Sequence, residues 1–150
     1  MMKHFALLLT IFAVLLFAVA LLSGCAPLPA ASTADPDALV MYQRAGGFAG
    51  LEDQLTIYAD GRAELRQHEQ ATAFTVTTEE LSQLTALLDG IAFSSLAGNY
   101  PPPSQGADYL SYTIDYAGER VSAVDTTIPE ALYPLLDLLD QLIAQASNGR

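Results

Sequence analysis

Leu55-Thr56-Ile57-Tyr58-Ala59-Asp60-Gly61-Arg62-Ala63-Glu64-Leu65-Arg66 is the stretch whose reading decides the fold. Two runs in which apolar and polar residues alternate flank Asp60-Gly61, a strong short-range hairpin signal. The chemistry of the two faces then selects the register. A two-residue turn sets Ile57 opposite Glu64, whereas a three-residue turn with Gly61 in the left-handed bulge position sets Ile57 opposite Ala63 and Leu55 opposite Leu65. Only the second collects a single apolar face, so it is the register expected.

Working outward, Leu39-Val40-Met41-Tyr42-Gln43-Arg44 is rich in β-branched and aromatic residues and ends at Gly46-Gly47, which reads as a first strand. Downstream, residues 71–77 interleave threonine with Ala73, Phe74 and Val76 and read as a further strand. Thr77-Thr78-Glu79-Glu80 is a capping box, and Leu81, Leu84, Leu87, Leu88 and Ile91 follow at helical spacing. That helix is expected to end near Asp89-Gly90. Residues 97–106, with Pro101-Pro102-Pro103, are expected to hold no regular element. A second hairpin joins 109–116 to 119–125 through Ala117-Gly118, and a two-residue turn there pairs Ile114 with Val121 and Tyr112 with Ala123. Thr127-Ile128-Pro129-Glu130 reads as a helix start capped by Thr127, with Pro134 forcing an irregular first turn before a helix over 135–144. Leu132, Leu135, Leu136, Leu139, Leu142 and Ile143 make its buried stripe, and Asp137, Asp140 and Gln141 are expected outside. The fold class is α+β: an antiparallel sheet built from hairpins, with two helices packed on one face.

The first residues carry a different message. Lys3 is a short basic head, residues 5–22 are an 18-residue apolar body, and Leu22-Ser23-Gly24-Cys25 ends it with small residues before the cysteine. This pattern resembles a bacterial lipobox, which implies cleavage before Cys25 and a diacylglyceryl thioether on it. Two readings stand beside it: an uncleaved membrane anchor at the lower length limit for a spanning helix, and a free or intermolecularly bridged thiol. Two or more acyl chains hold a protein stably on a bilayer. Ala26-Pro27-Leu28-Pro29-Ala30-Ala31-Ser32-Thr33-Ala34-Asp35-Pro36-Asp37 is small, polar and proline-punctuated, and reads as a tether. The expected organisation is therefore a leader over 1–24, a lipidated cysteine and tether over 25–38, one domain over 39–146 and a tail over 147–150. The expected location is the extracytoplasmic side of the cell membrane. Ala26, where some bacteria place an acidic retention signal, points to the outer membrane in a cell that has one.

Charge and chemistry narrow the function. With the leader removed, 17 acidic residues face five basic ones, a net charge of −12. Such a surface repels phosphate backbones, so nucleic acid is not an expected partner. No glycine-rich phosphate loop joins a strand to a helix, which leaves nucleotide binding without support. His68 is the only histidine after the leader and Cys25 the only cysteine. Zinc sites and serine triads need more than these, so no metal and no catalytic residue is expected. Glu79 with Glu80 and Asp137 with Asp140 sit where helix surfaces and first turns carry acids. A glycosidase working with carboxylates alone stays open at this point, although the chain reads as a non-enzyme.

Arg44-Ala45-Gly46-Gly47-Phe48-Ala49-Gly50-Leu51 is the unusual segment. Three glycines in five positions permit positive φ at the expense of packing. One reading is a wide strand connection with Phe48 plugging the edge of the core. The other is an exposed loop that approaches a partner closely, with Phe48 or Leu51 as apolar anchor.

These residues, together with the leucine-patterned helix, Ala107-Asp108-Tyr109-Leu110-Ser111-Tyr112-Thr113-Ile114 and Ile128-Pro129-Glu130-Ala131-Leu132, resemble the emfourin family. Its members are protein inhibitors of thermolysin-like metalloproteases such as protealysin. The resemblance runs over residues 40–142, and its most specific part is the Gly-Gly-Phe-Ala-Gly signature. A leader and tether ahead of the domain, and prolines in the loop over 99–106, depart from the pattern. The resemblance implies a proteinaceous inhibitor acting by loop insertion into the protease cleft, with Gly46, Gly47, Phe48, Ala49, Gly50 and Leu51 as binding residues. Arg44 is then a candidate to pair with a partner carboxylate. No cofactor is implied beyond the covalent lipid. The alternative is a non-inhibitory surface lipoprotein that binds peptide, glycan or an envelope partner through Tyr42, Tyr58, Tyr109, Tyr112 and Tyr116 on the sheet.

Overall fold

Two hairpins with opposite turn chemistry set the frame of the sheet. In the computed structural model, which describes residues 35, 37–105 and 108–149, β1 (Ala38–Gly46), β2 (Leu51–Tyr58), β3 (Arg62–Gln67) and β4 (Gln70–Thr75) form an antiparallel run. Gly61 has φ 86° and its N–H donates to the Tyr58 carbonyl at 3.0 Å, closing the three-residue turn. Ile57 accordingly faces Ala63, and Leu55 faces Leu65. The second hairpin joins β6 (Leu110–Tyr116) to β7 (Glu119–Val124) through Ala117 (φ 53°) and Gly118 (φ 81°), the positive pair that a two-residue turn of this hand requires. It pairs Ile114 with Val121 and Tyr112 with Ala123.

The sheet order is β4-β3-β2-β1-β6-β7-β5, and all neighbours are antiparallel except β5 (Gly98–Tyr100) with β7. This strand corrects the expectation that residues 97–106 hold no regular element. A strand this short needs little of its own sequence, because the free edge of β7 supplies its backbone partners. Thr127 is tied to the same place: its Oγ1 donates to the Tyr100 carbonyl at 2.8 Å. It is therefore a clasp for β5 and not the helix cap expected.

Helix α1 (Thr78–Gly90) starts at the capping box, with the Glu80 N–H donating to Thr77 Oγ1 at 3.3 Å and the Thr77 N–H to the Glu80 carboxylate at 3.0 Å. A short α2 (Phe93–Leu96) and a 3-10 turn (Glu130–Leu132) precede α3 (Tyr133–Ser147). Pro134 falls in the first turn of α3, where its missing N–H has no partner to lose, so the helix begins two residues earlier than expected.

Register places Val40, Tyr42, Leu55, Ile57, Ala63, Leu65, Ile114 and Val121 on one face of the sheet. They form a single core with Leu84 and Leu88 of α1, Phe93 of α2, and the buried stripe of α3, which also takes in Leu138 and Ala146. The protein is an α+β fold, a mostly antiparallel sheet with its helices on one face. No helix among the described residues is long and apolar enough to cross a membrane. The leader, Cys25 and most of the tether lie outside the described residues.

Candidate functional site

Gly46 closes β1 opposite Leu51 of β2, so residues 47–50 form a four-residue hairpin loop. The Gly50 N–H donates to the Gly47 carbonyl at 3.0 Å, and Gly47 and Gly50 have φ 66° and 59°. At the tip Phe48 is wholly exposed, with a relative accessibility of 101%. Burying a phenylalanine is worth about 1.5–3 kcal/mol, so a ring held entirely in water is an unused apolar contact. Ala49 and Gly50 are exposed beside it, while Gly46, Gly47 and Leu51 are half-buried. The structure removes one of the two readings of this segment: Phe48 projects outward and does not plug the core.

The Tyr109 carbonyl fixes the loop's base. The Gly47 N–H donates to the Tyr109 carbonyl at 3.0 Å, and a Cβ on Gly46 would stand 2.8 Å from that same oxygen. Gly46 also has φ 90°, which side chains rarely adopt. Glycine is required there twice over. Gly46→Ala is expected to lower stability by about 1–3 kcal/mol in denaturant unfolding. Gly50→Ala, which has open space around it and only its φ against it, is expected to cost less. Tyr109 is held in turn by a 2.9 Å hydrogen bond between its hydroxyl and Ser104 Oγ.

Immediately below the loop, Arg44 of β1 lies opposite Asp53 of β2. Its Nε donates to Asp53 Oδ2 at 2.6 Å and its Nη1 to Asp140 Oδ1 of α3 at 3.1 Å. Asp53 is buried and takes a second bond from Gln67 Nε2 at 2.8 Å, while the Tyr42 hydroxyl donates to Asp140 at 2.8 Å. Burial first, and then the Asp140 carboxylate, push the Tyr42 hydroxyl's pKa far up. Burial works against the Arg44 charge, but the hydrogen bond to Asp53 and the field of Asp140 outweigh it and hold the guanidinium above its ordinary value. Arg44 is therefore engaged inside its own domain, joining β1, β2 and α3, and not turned toward a partner carboxylate. Asp140, expected outside, is half-buried because it completes this cluster. Among the described residues no buried side-chain nitrogen or oxygen lacks a partner.

The tyrosines divide differently from the alternative reading. Tyr42, Tyr112 and Tyr116 face the helices: the rings of Tyr42 and Tyr112 stack at 6.4 Å, and Phe93 meets Tyr116 edge-on at 5.2 Å. Tyr58 has the opposite parity, with the Arg62 guanidinium 4.8 Å above its ring and its hydroxyl donating to Asp35 at 2.9 Å. These four tyrosines are thus split between the two faces of the sheet. His68 (φ 53°) sits in the β3–β4 turn with Nδ1 3.2 Å from Glu52 Oε2, both exposed. Among the described residues no group of three or more His, Cys, Asp or Glu side chains is placed to hold a metal. The chain matches no family model, no curated protein and no solved structure.

Proposed function

We propose that this protein is a membrane-anchored extracytoplasmic lipoprotein, lipidated on Cys25, whose domain inhibits a thermolysin-like metalloprotease by inserting the turn over 46–51 into the cleft. The observation that carries the reading is Phe48, fully exposed on a turn whose backbone is fixed at both ends. Such proteases accept a bulky apolar residue just after the bond they cut, and Gly47-Phe48 offers that arrangement. A turn already held by the Tyr109 carbonyl and the Gly47–Gly50 bond loses little freedom on binding, so few contacts can support tight association. Blocking the cleft needs no metal ligand and no catalytic group from the inhibitor. The lipid would keep the inhibitor at the envelope, where it meets secreted proteases.

The test is inhibition of thermolysin by the full chain in neutral detergent, read with a peptide substrate while gels follow the Gly47-Phe48 bond. Dose-dependent inhibition with that bond intact is expected. Absence of inhibition across several thermolysin-like proteases, or rapid cleavage at Gly47-Phe48, overturns the proposal.

A further inference from the structure

An exposed phenylalanine on a lipid-anchored protein has two apolar destinations, the bilayer and a protein cleft. The charges around it favour one. Each described arginine is engaged by carboxylates of its own domain: Arg44 by Asp53 and Asp140, Arg62 by Asp60, Arg66 by Glu64, and Arg120 by Asp115. The chain as a whole carries −11. Three exposed acids belong to the strand ends that flank the Phe48 turn. Glu52 faces Ala45 across the turn and is exposed, with His68 Nδ1 3.2 Å from its Oε2. Exposed Asp108 adjoins Tyr109, whose carbonyl braces Gly46 and Gly47. Exposed Asp125 donates its N–H to the carbonyl of Leu110, the residue paired with Gly46.

We infer that the Phe48 turn docks into an apolar protein cleft whose rim carries lysine or arginine side chains, an inference that rests on the inhibitor reading above. The partner's cations complement the chain's net negative charge, and the like charge of an anionic bilayer opposes insertion there. Complementary rims act mainly on the encounter rate and are screened over about 10 Å at 0.1 M salt. Burial of the ring acts mainly on the lifetime of the complex.

The experiment uses the full chain in neutral detergent against a panel of secreted thermolysin-like proteases whose cleft rims range from acidic to basic. Inhibition is expected to strengthen with positive rim charge. For the best target, the triple variant Glu52→Gln, Asp108→Asn, Asp125→Asn is expected to associate about tenfold more slowly at low salt, with unchanged dissociation and a flatter salt dependence. Inhibition that persists with no salt dependence and no effect of the triple variant overturns the basic rim and leaves the inhibitor reading standing. A Phe48→Trp variant whose fluorescence shifts to the blue on phosphatidylglycerol vesicles sends the turn to the bilayer and also overturns it. No inhibition of any protease in the panel overturns both.

Discussion

Replacing Phe48 with alanine is expected to weaken inhibition about thirtyfold or more, while the free protein keeps the melting temperature of the parent. The two halves of this result have one cause. The ring touches nothing in the free domain, where it is fully exposed, so its removal takes no packing from the core. In the proposed complex it is the apolar side chain at the tip of the turn, and truncating a central aromatic anchor costs about 2 kcal/mol or more. Phe48→Leu is expected to retain most of the inhibition, since an apolar pocket accepts either shape. Unchanged inhibition by the alanine variant would remove the turn from the mechanism, and a lowered melting temperature would mean that the ring packs on the domain.

Arg44→Met is expected to destabilise the domain by about 3–5 kcal/mol, measured by denaturant unfolding, because it leaves the Asp53 carboxylate buried without its cation. The Asp53 side chain is 3% exposed and that of Arg44 19%, so water cannot take over the role. Asp140, whose side chain is 39% exposed, can hydrate, and Asp140→Asn is expected to cost far less. Exchanging both central partners, Arg44→Met with Asp53→Leu, should recover much of the loss, since apolar pairs of similar volume often replace buried ion pairs without penalty. A single Arg44→Met variant as stable as the parent would show that the cluster contributes nothing to folding.

The hairpins were legible because each had one register that gave a single apolar face. Ile57 could face Ala63 or Glu64, and only one of these can be buried. The capping box was legible for a similar reason, since Thr77 and Glu80 satisfy each other within one turn. What stayed hidden depends on partners distant in sequence. Nothing in Gly98-Asn99-Tyr100 announces a strand, because its order comes from the edge of β7 and from Thr127. Asp140 looked like a surface acid because its helical spacing says nothing of Tyr42 and Arg44 opposite it. The register of the first two strands carries a signal of its own. Once the turn closes Gly46 on Leu51, counting back two residues on each strand sets Arg44 against Asp53. By that register the arginine belongs to the interior, and the exposed residues of the turn itself are Phe48, Ala49 and Gly50.

The Tyr109 carbonyl occupies the space where a side chain on Gly46 would stand. The shape of the turn is therefore set by two stretches far apart in the chain, one ending β1 and one leading into β6. Substitutions that move Tyr109, or the Ser104 contact that holds it, reach the turn without touching it. A hairpin copied alone carries the letters of this site and not its form, and any scaffold meant to display Phe48 in the same way has to supply a carbonyl at that place.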